Sequence, residues 1–183
     1  MFEKEDEPSL TAIQWFNKGY DYDVKEDYDN AVFAYSKAIE LNPQDADAYN
    51  NRGAIYDIQG EHDLAITDYT KAIELNPQDA DTYNNRGAVY DTKDEYDLAI
   101  MDYNKAIEIN PQHADAYSYR GNAYLSKGQY DLAINDYDKM IELNPQDVYV
   151  YINKAFACEK SGNYTSSQIE ALKQKIRDLG GQI

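Results

Sequence analysis

Cysteine is nearly missing from this chain of 183 residues: Cys158 stands alone, which excludes an internal disulfide and suits a reducing compartment. Histidine is almost as scarce. His62 and His113 lie far apart in sequence, and with a single cysteine they make neither a metal-ligand spacing nor a nucleophile–base pair. No stretch of about 18 apolar residues could span a membrane. No glycine-rich phosphate loop is present, because each glycine falls within a helical pattern or a turn. No catalytic residue, cofactor or metal is therefore expected. Basic residues are few, 17 against 34 acidic ones, for a formal charge of −17. Such a field repels nucleic-acid phosphates and anionic membrane surfaces and favours cationic protein segments. The beginning, Met1-Phe2-Glu3-Lys4-Glu5-Asp6-Glu7, is acidic and unlike a signal peptide. The expectation is a cytoplasmic protein.

What the chain does have is a fixed period. Gly19, Gly53, Gly87 and Gly121 recur every 34 residues, and Pro43, Pro77, Pro111 and Pro145 keep the same interval. A period of this size marks stacked repeats. With the glycine at position 8, the repeats run over 12–45, 46–79, 80–113 and 114–147, a degenerate fifth unit covers 148–183, and 1–11 is an acidic tail. Position 4 is Trp15, Tyr49, Tyr83, Tyr117 and Tyr151; position 11 is Tyr22, Tyr56, Tyr90, Tyr124 and Cys158. Position 20 is alanine in all four full repeats, position 24 is Tyr35, Tyr69, Tyr103 and Tyr137, and position 27 is Ala38, Ala72, Ala106 and Met140.

Positions 4, 7, 8 and 11 share one helical face, as do 17, 20, 21, 24, 27 and 28, so each repeat contains two amphipathic helices, A and B. Small residues at positions 8 and 20 let A and B approach closely while large rings fill the surroundings. Gln59-Gly60 and Lys127-Gly128 read as turns between them, and helix B ends at Asn-Pro. Asp45, Asp79 and Asp147 stand at the N-cap of the next helix A, and His113 replaces the aspartate at one junction, which should be slightly weaker. The fifth unit keeps helix A. Thr165 or Ser166 then starts a helix with the apolar set Ile169, Leu172, Ile176 and Leu179, closed by Gly180-Gly181, which reads as a C-terminal cap. Position 7 is Arg52, Arg86 and Arg120 where position 23 is Asp68, Asp102 and Asp136, and it is Lys154 where position 23 is Glu170. These residues predict a structural Arg–Asp pair joining helices A and B in repeats 2 to 4, with the geometry for a two-pronged bond.

This arrangement resembles the tetratricopeptide repeat over roughly residues 12–164. The resemblance implies an all-α fold, an α–α superhelix (solenoid) of antiparallel helix pairs, with positions 2, 5, 6, 9, 12 and 13 on a concave groove. Position 6 then forms a ladder of Asn17, Asn51, Asn85 and Asn153, with Asn50 and Asn84 at position 5. Amides on such a face are suited to clamp the backbone of an extended peptide, although asparagine also fits a merely wetted helix face. The carboxylate clamp of the chaperone-binding members is missing, since Phe16, Asp81 and Asn85, or Asn50, Asp115 and Tyr119, occupy its places. Asp47, Asp81 and Asp115 at position 2 and Asp57 and Asp91 at position 12 make the groove edges acidic.

Of 19 tyrosines, sixteen occupy positions 4, 11, 17 or 24 and are accounted for by packing. Tyr20, Tyr119 and Tyr149 are left over on the groove, together with Phe16, Ile152 and Phe156. Exposed rings beside a polar rim are typical interface anchors, and end repeats also use such rings to cover neighbouring helices. The expected function is a non-catalytic scaffold holding an extended, basic peptide. The alternative is self-association into homo-oligomers through the first repeat, which has no polar cap.

Overall fold

The computed structural model describes residues 10–182, and among them are ten α-helices and no strand. The acidic stretch 1–9 lies outside the described residues. Thr11, grouped with that stretch from sequence, is instead the N-cap of the first helix. Its Oγ1 accepts the Gln14 N–H while the Gln14 side chain accepts the Thr11 N–H.

The chain divides into two compact units, one ending at Gln78 and one beginning at Asp79. The first contains α1 (Ala12–Asp23), α2 (Tyr28–Leu41), α3 (Ala46–Ile58) and α4 (His62–Leu75). The second contains α5 (Ala80–Thr92), α6 (Tyr96–Ile109), α7 (Ala114–Ser126), α8 (Tyr130–Leu143), α9 (Val148–Ser161) and α10 (Ser166–Asp178). Within each unit consecutive helices pack as antiparallel A/B pairs.

The pairing rests on a ring laid against a bare backbone. A Cβ added to Gly19, Gly87 or Gly121 would lie 2.7, 2.7 or 2.8 Å from the ring of Tyr35, Tyr103 or Tyr137, and at Gly53 it would lie 3.1 Å from Tyr69. Ala31, Ala65, Ala99 and Ala133 at position 20 are fully buried beside these rings. Small residues thus set the interhelical distance and the tyrosines fill what remains, as their spacing predicts.

Helix boundaries follow local chemistry. Asp45 accepts from the Ala48 N–H, Asp79 from Asp81 and Asp147 from Tyr149. At the third junction His113 serves as the cap, accepting the Ala116 N–H at 3.4 Å through Nδ1. Each helix B ends at an asparagine driven out of helical geometry by the following proline, and the Oδ1 of Asn42, Asn76, Asn110 and Asn144 accepts an N–H two residues on. The terminal helix α10 carries a Thr165–Gln168 capping box, and Ile176 is its fully buried anchor.

The turn from A to B repeats one backbone geometry, whether or not a glycine stands there. Position 15 is left-handed in every unit: Gly60, Gly128 and Gly162 have φ of 79°, 71° and 71°, and Glu26 and Asp94 have φ of 58° and 59°. In each full repeat the next residue's N–H reaches back five residues, as in Asp27 to Tyr22 and Glu95 to Tyr90 at 2.9 Å, which closes a Schellman motif. A side chain in this conformation costs about 1–2 kcal/mol, and glycine avoids that cost. Glu26→Gly should therefore raise unfolding free energy by about 0.5–1 kcal/mol after the entropy of a freer unfolded chain is subtracted. Asp94→Gly should gain less, because the Asp94 carboxylate accepts the Tyr96 hydroxyl. Urea midpoints of the two variants check both statements.

Candidate functional site

The A-helix face can be followed in each unit separately. In the first unit α1 and α3 present Ile13, Phe16, Asn17, Tyr20 and Val24 beside Asp47, Asn51, Asp57 and Ile58. A cleft of about 500 Å³ opens here, with Ala12, Ile13 and Phe16 as its apolar floor and Asn42, Asp45 and Asp47 at its edge. Ile13, Val24 and Ile58 are 68%, 67% and 58% exposed. All three fall on positions 2 and 13 of the face, where apolar residues do not recur through the repeats and so leave no periodic signal in the sequence. Phe16, offered as a free anchor, is half-buried: its ring stands edge-on to Tyr35 at 5.6 Å and belongs to the core of the first repeat. Asp57 receives the His62 ring at 3.1 Å.

In the second unit the aromatics separate into two kinds. Tyr149 is 74% exposed, and Tyr119 and Phe156 also face solvent, the latter beneath the Lys160 ammonium at 5.4 Å. Ile152 instead packs against the cluster of Tyr151, Ala155 and Ile176, so it serves the core more than a partner. Asn84 is corrected more sharply: at 7% exposure it is buried and cannot meet a peptide as an open rung. Asn85 is half-buried, while Asp81 and Asp115 are exposed, Asp81 with the His113 ring 3.1 Å away. Asn153 donates to Asn122 Oδ1 at 3.0 Å, and the same oxygen accepts the Tyr137 hydroxyl at 2.8 Å. In the first unit Asn51 lies against the Tyr35 hydroxyl, whose pKa burial, the Asp23 carboxylate and other neighbours push up to about 12. Asn153 thus reaches a buried tyrosine of position 24 only through Asn122, which lies outside the ladder.

The arginines of position 7 sit at the centre of a denser network. Arg52 Nε and Nη2 donate to Asp68 at 2.7 and 2.8 Å, Arg86 reaches Asp102 at the same distances, and Arg120 reaches Asp136 at 2.8 and 2.5 Å. Each guanidinium also lies between two tyrosine rings, those of Tyr49 and Tyr56, Tyr83 and Tyr90, or Tyr117 and Tyr124, at 5.6–6.0 Å. A further nitrogen crosses to position 25 of the preceding repeat, from Arg52 to Ser36 at 2.9 Å and from Arg120 to Asn104 at 2.5 Å. Lys154 follows the same route and pairs with Asp138 rather than with Glu170, which Arg177 takes instead. Burial alone would lower the pKa of these arginines; the bonds and charge of their aspartates outweigh it and hold the guanidinium above its ordinary value.

Among the described residues no three His, Cys, Asp or Glu side chains are grouped to hold a metal ion. Cys158 is fully buried, and burial pushes its thiol pKa up. No described helix is long and apolar enough to cross a membrane.

A family model described as the tetratricopeptide repeat matches residues 46–79, 80–113 and 114–147, and a second, described as TPR repeat, matches 19–57. The chain belongs to the tetratricopeptide-repeat family, whose helix-pair scaffold is suited to protein–protein interaction. No curated protein sequence matches it. Among solved structures, the MamA protein is 27% identical with a TM-score of 0.85, over 92% of this chain and 91% of that one. MamA (41-end) from Desulfovibrio magneticus RS-1 is 19% identical with a TM-score of 0.85, covering 92% and 94%. YrrB, a TPR protein with an unusual peptide-binding site, is 21% identical with a TM-score of 0.79, covering 92% and 86%. These last two likenesses concern the fold alone.

Removing one partner of the Arg–Asp network leaves a buried charge unbalanced. Arg120→Met should cost about 3–5 kcal/mol of stability, and pairing it with Asp136→Leu should recover most of that loss. Chemical denaturation of the single and double variants measures the difference.

Proposed function

We propose that this protein is a non-catalytic adaptor that binds an extended, basic peptide on the A-helix face. The observation that carries the reading is the cleft of the first repeat, where Ile13 and Phe16 floor a space edged by Asp45 and Asp47. A lysine or arginine side chain matches such a surface, laying its methylenes on apolar atoms and its charge beside carboxylates. Exposed Tyr20 extends the face in the same unit, and exposed Asp81, Asp115 and Tyr149 offer the same chemistry in the other. Asn51 and Asn85 are assigned to the peptide backbone, in addition to any bonds they make within the protein. YrrB, with its peptide-binding site, is a neighbour in fold that fits this reading.

Fluorescence anisotropy with an extended Lys/Arg-rich peptide and a Glu-rich peptide of equal length tests it. The basic peptide should bind, weakening at least about tenfold on Asp47→Lys, and the acidic peptide should not. Equal binding of both peptides, or no change on Asn51→Ala with Asn85→Ala, would overturn the proposal.

A second reading has its own observation. Repeat 1 exposes five large apolar side chains, Ile13, Tyr20, Val24, Phe33 and Leu41. Self-association through this end should appear as a sedimentation coefficient that rises with concentration. A monomer at every concentration would remove it.

A further inference from the structure

The A-helix face of the second unit changes chemistry at its last helix. Asp115, Tyr119 and Asn122 share one face of α7, and Tyr149, Asn153, Phe156 and Lys160 share one face of α9, at helical spacings of three and four. Asn153 Nδ2 donates to Asn122 Oδ1 at 3.0 Å, which ties the two stripes side by side. Tyr119, Tyr149 and Phe156 are all exposed, so the tied stripes offer rings to solvent. Their ends carry opposite charge. Asp115 stands exposed in the first turn of α7. Lys160 stands exposed in the last turn of α9, at position 13, where the earlier repeats have Val24, Ile58, Thr92 and Ser126. Its ammonium lies over the Phe156 ring at 5.4 Å, and among the described residues no carboxylate pairs with it. Glu159, the acid next to it in sequence, is held by Lys173 at 2.8 Å.

We infer that α7 and α9 form a subsite for a short bipolar segment of the partner. A lysine or arginine of that segment meets Asp115, an aspartate or glutamate meets Lys160, and an aromatic side chain beside the acid lies on Phe156. The subsite rests on the adaptor reading and names what its peptide carries at this end. Charge complementarity selects the segment: an all-basic one sets a cation against Lys160, and an all-acidic one meets Asp115. Edge or offset contact with the exposed rings favours an aromatic residue over a polar one next to the acid. The helices also set a spacing. α8 packs antiparallel against both, so α7 and α9 run the same way and the two charges lie at opposite ends of the stripes. From Tyr149 to Lys160 the helix rises about 16 Å, which an extended peptide covers in about five residues.

The probe is a Ser/Thr-rich peptide with one lysine and one glutamate about five residues apart and a phenylalanine beside the glutamate. It is made in both chain directions and blocked at both ends, so that no terminal charge contributes. Binding to the whole chain is read by fluorescence anisotropy. In the better direction, replacing the peptide's glutamate by glutamine should weaken binding about fivefold, the worth of one exposed charge pair. Lys160→Glu should reverse the preference, so that a peptide with lysine in place of the glutamate binds more tightly. Phe156→Ala should weaken the glutamate peptide about tenfold through lost ring contact. Both side chains are exposed, and unchanged melting temperatures verify that the variants fold. Equal affinity of the glutamate and glutamine peptides in both directions, a glutamine penalty that persists in Lys160→Glu, or full affinity in Phe156→Ala sinks the subsite. The two readings fail separately: Lys/Arg-rich peptides that bind while the glutamate contributes nothing remove the subsite alone, whereas failure of every basic peptide to bind removes the adaptor.

Discussion

The tyrosine of position 24 resting on the glycine of position 8 is the contact from which the polar layout of each repeat follows. Each ring lies close to the glycine backbone of helix A, as the short distances from Gly19, Gly87 and Gly121 show. Its hydroxyl end then emerges among positions 6, 9 and 12 of the A helices. A phenol placed in a dry interior calls for a partner, and position 9 supplies one to Tyr137, while the hydroxyls of Tyr35 and Tyr103 have none among the described residues. Asn122 meets Tyr137 directly, and the Asp23 and Asp91 carboxylates of position 12 add to burial in raising the pKa of the Tyr35 and Tyr103 hydroxyls. The polarity of the A-helix face is thus partly a consequence of using tyrosine, rather than leucine, to fill the space over glycine.

The same choice explains the arginines. A repeat packed with phenols offers electron-rich faces at positions 4 and 11, and Arg52, Arg86 and Arg120 are held between those faces while bonded end-on to an aspartate of helix B. A buried ion pair by itself adds little to stability, because desolvation consumes most of the Coulomb gain. Here the guanidinium also links the preceding repeat, through Ser36 or Asn104, so one side chain fixes both the A/B spacing and the register between repeats. Directionality, which apolar packing lacks, is the physical reason to keep it.

The fold was legible because its signals are periodic. A glycine, a proline and four small or aromatic positions recurring together leave few alternatives, and the Arg–Asp pairing could be read from the way positions 7 and 23 vary together. What escaped had no periodic signal. Glu26 and Asp94 adopt the left-handed turn of Gly60 and Gly128, yet neither residue announces it; Asp94 is at least a type that tolerates it, and Glu26 is not. Asn84 and Asn85 are adjacent in sequence, and a helical pattern alone does not say that the first is buried while the second is half-buried. Lys154 chose Asp138 over Glu170 because α10 runs out of phase with the earlier B helices, which leaves Glu170 to Arg177 on its own helix.

Charge gives the A-helix face its direction. Among the described residues, the arginines of position 7 pair with buried aspartates, Lys154 with Asp138, and Lys37, Lys71, Lys105 and Lys139 with the glutamates three residues on. Pairs on an exposed helix surface contribute only tenths of a kcal/mol, yet they neutralise part of the B-helix surface. The aspartates of position 2 have no such lysine beside them, and Asp47, Asp81 and Asp115 remain at the solvent. With 34 acidic residues and 17 basic ones, pairing every cation still leaves half the carboxylates unmatched. A field built that way attracts a cationic chain before any side chain docks, and the apolar floor beside Asp47 then gives the arriving methylenes somewhere to rest.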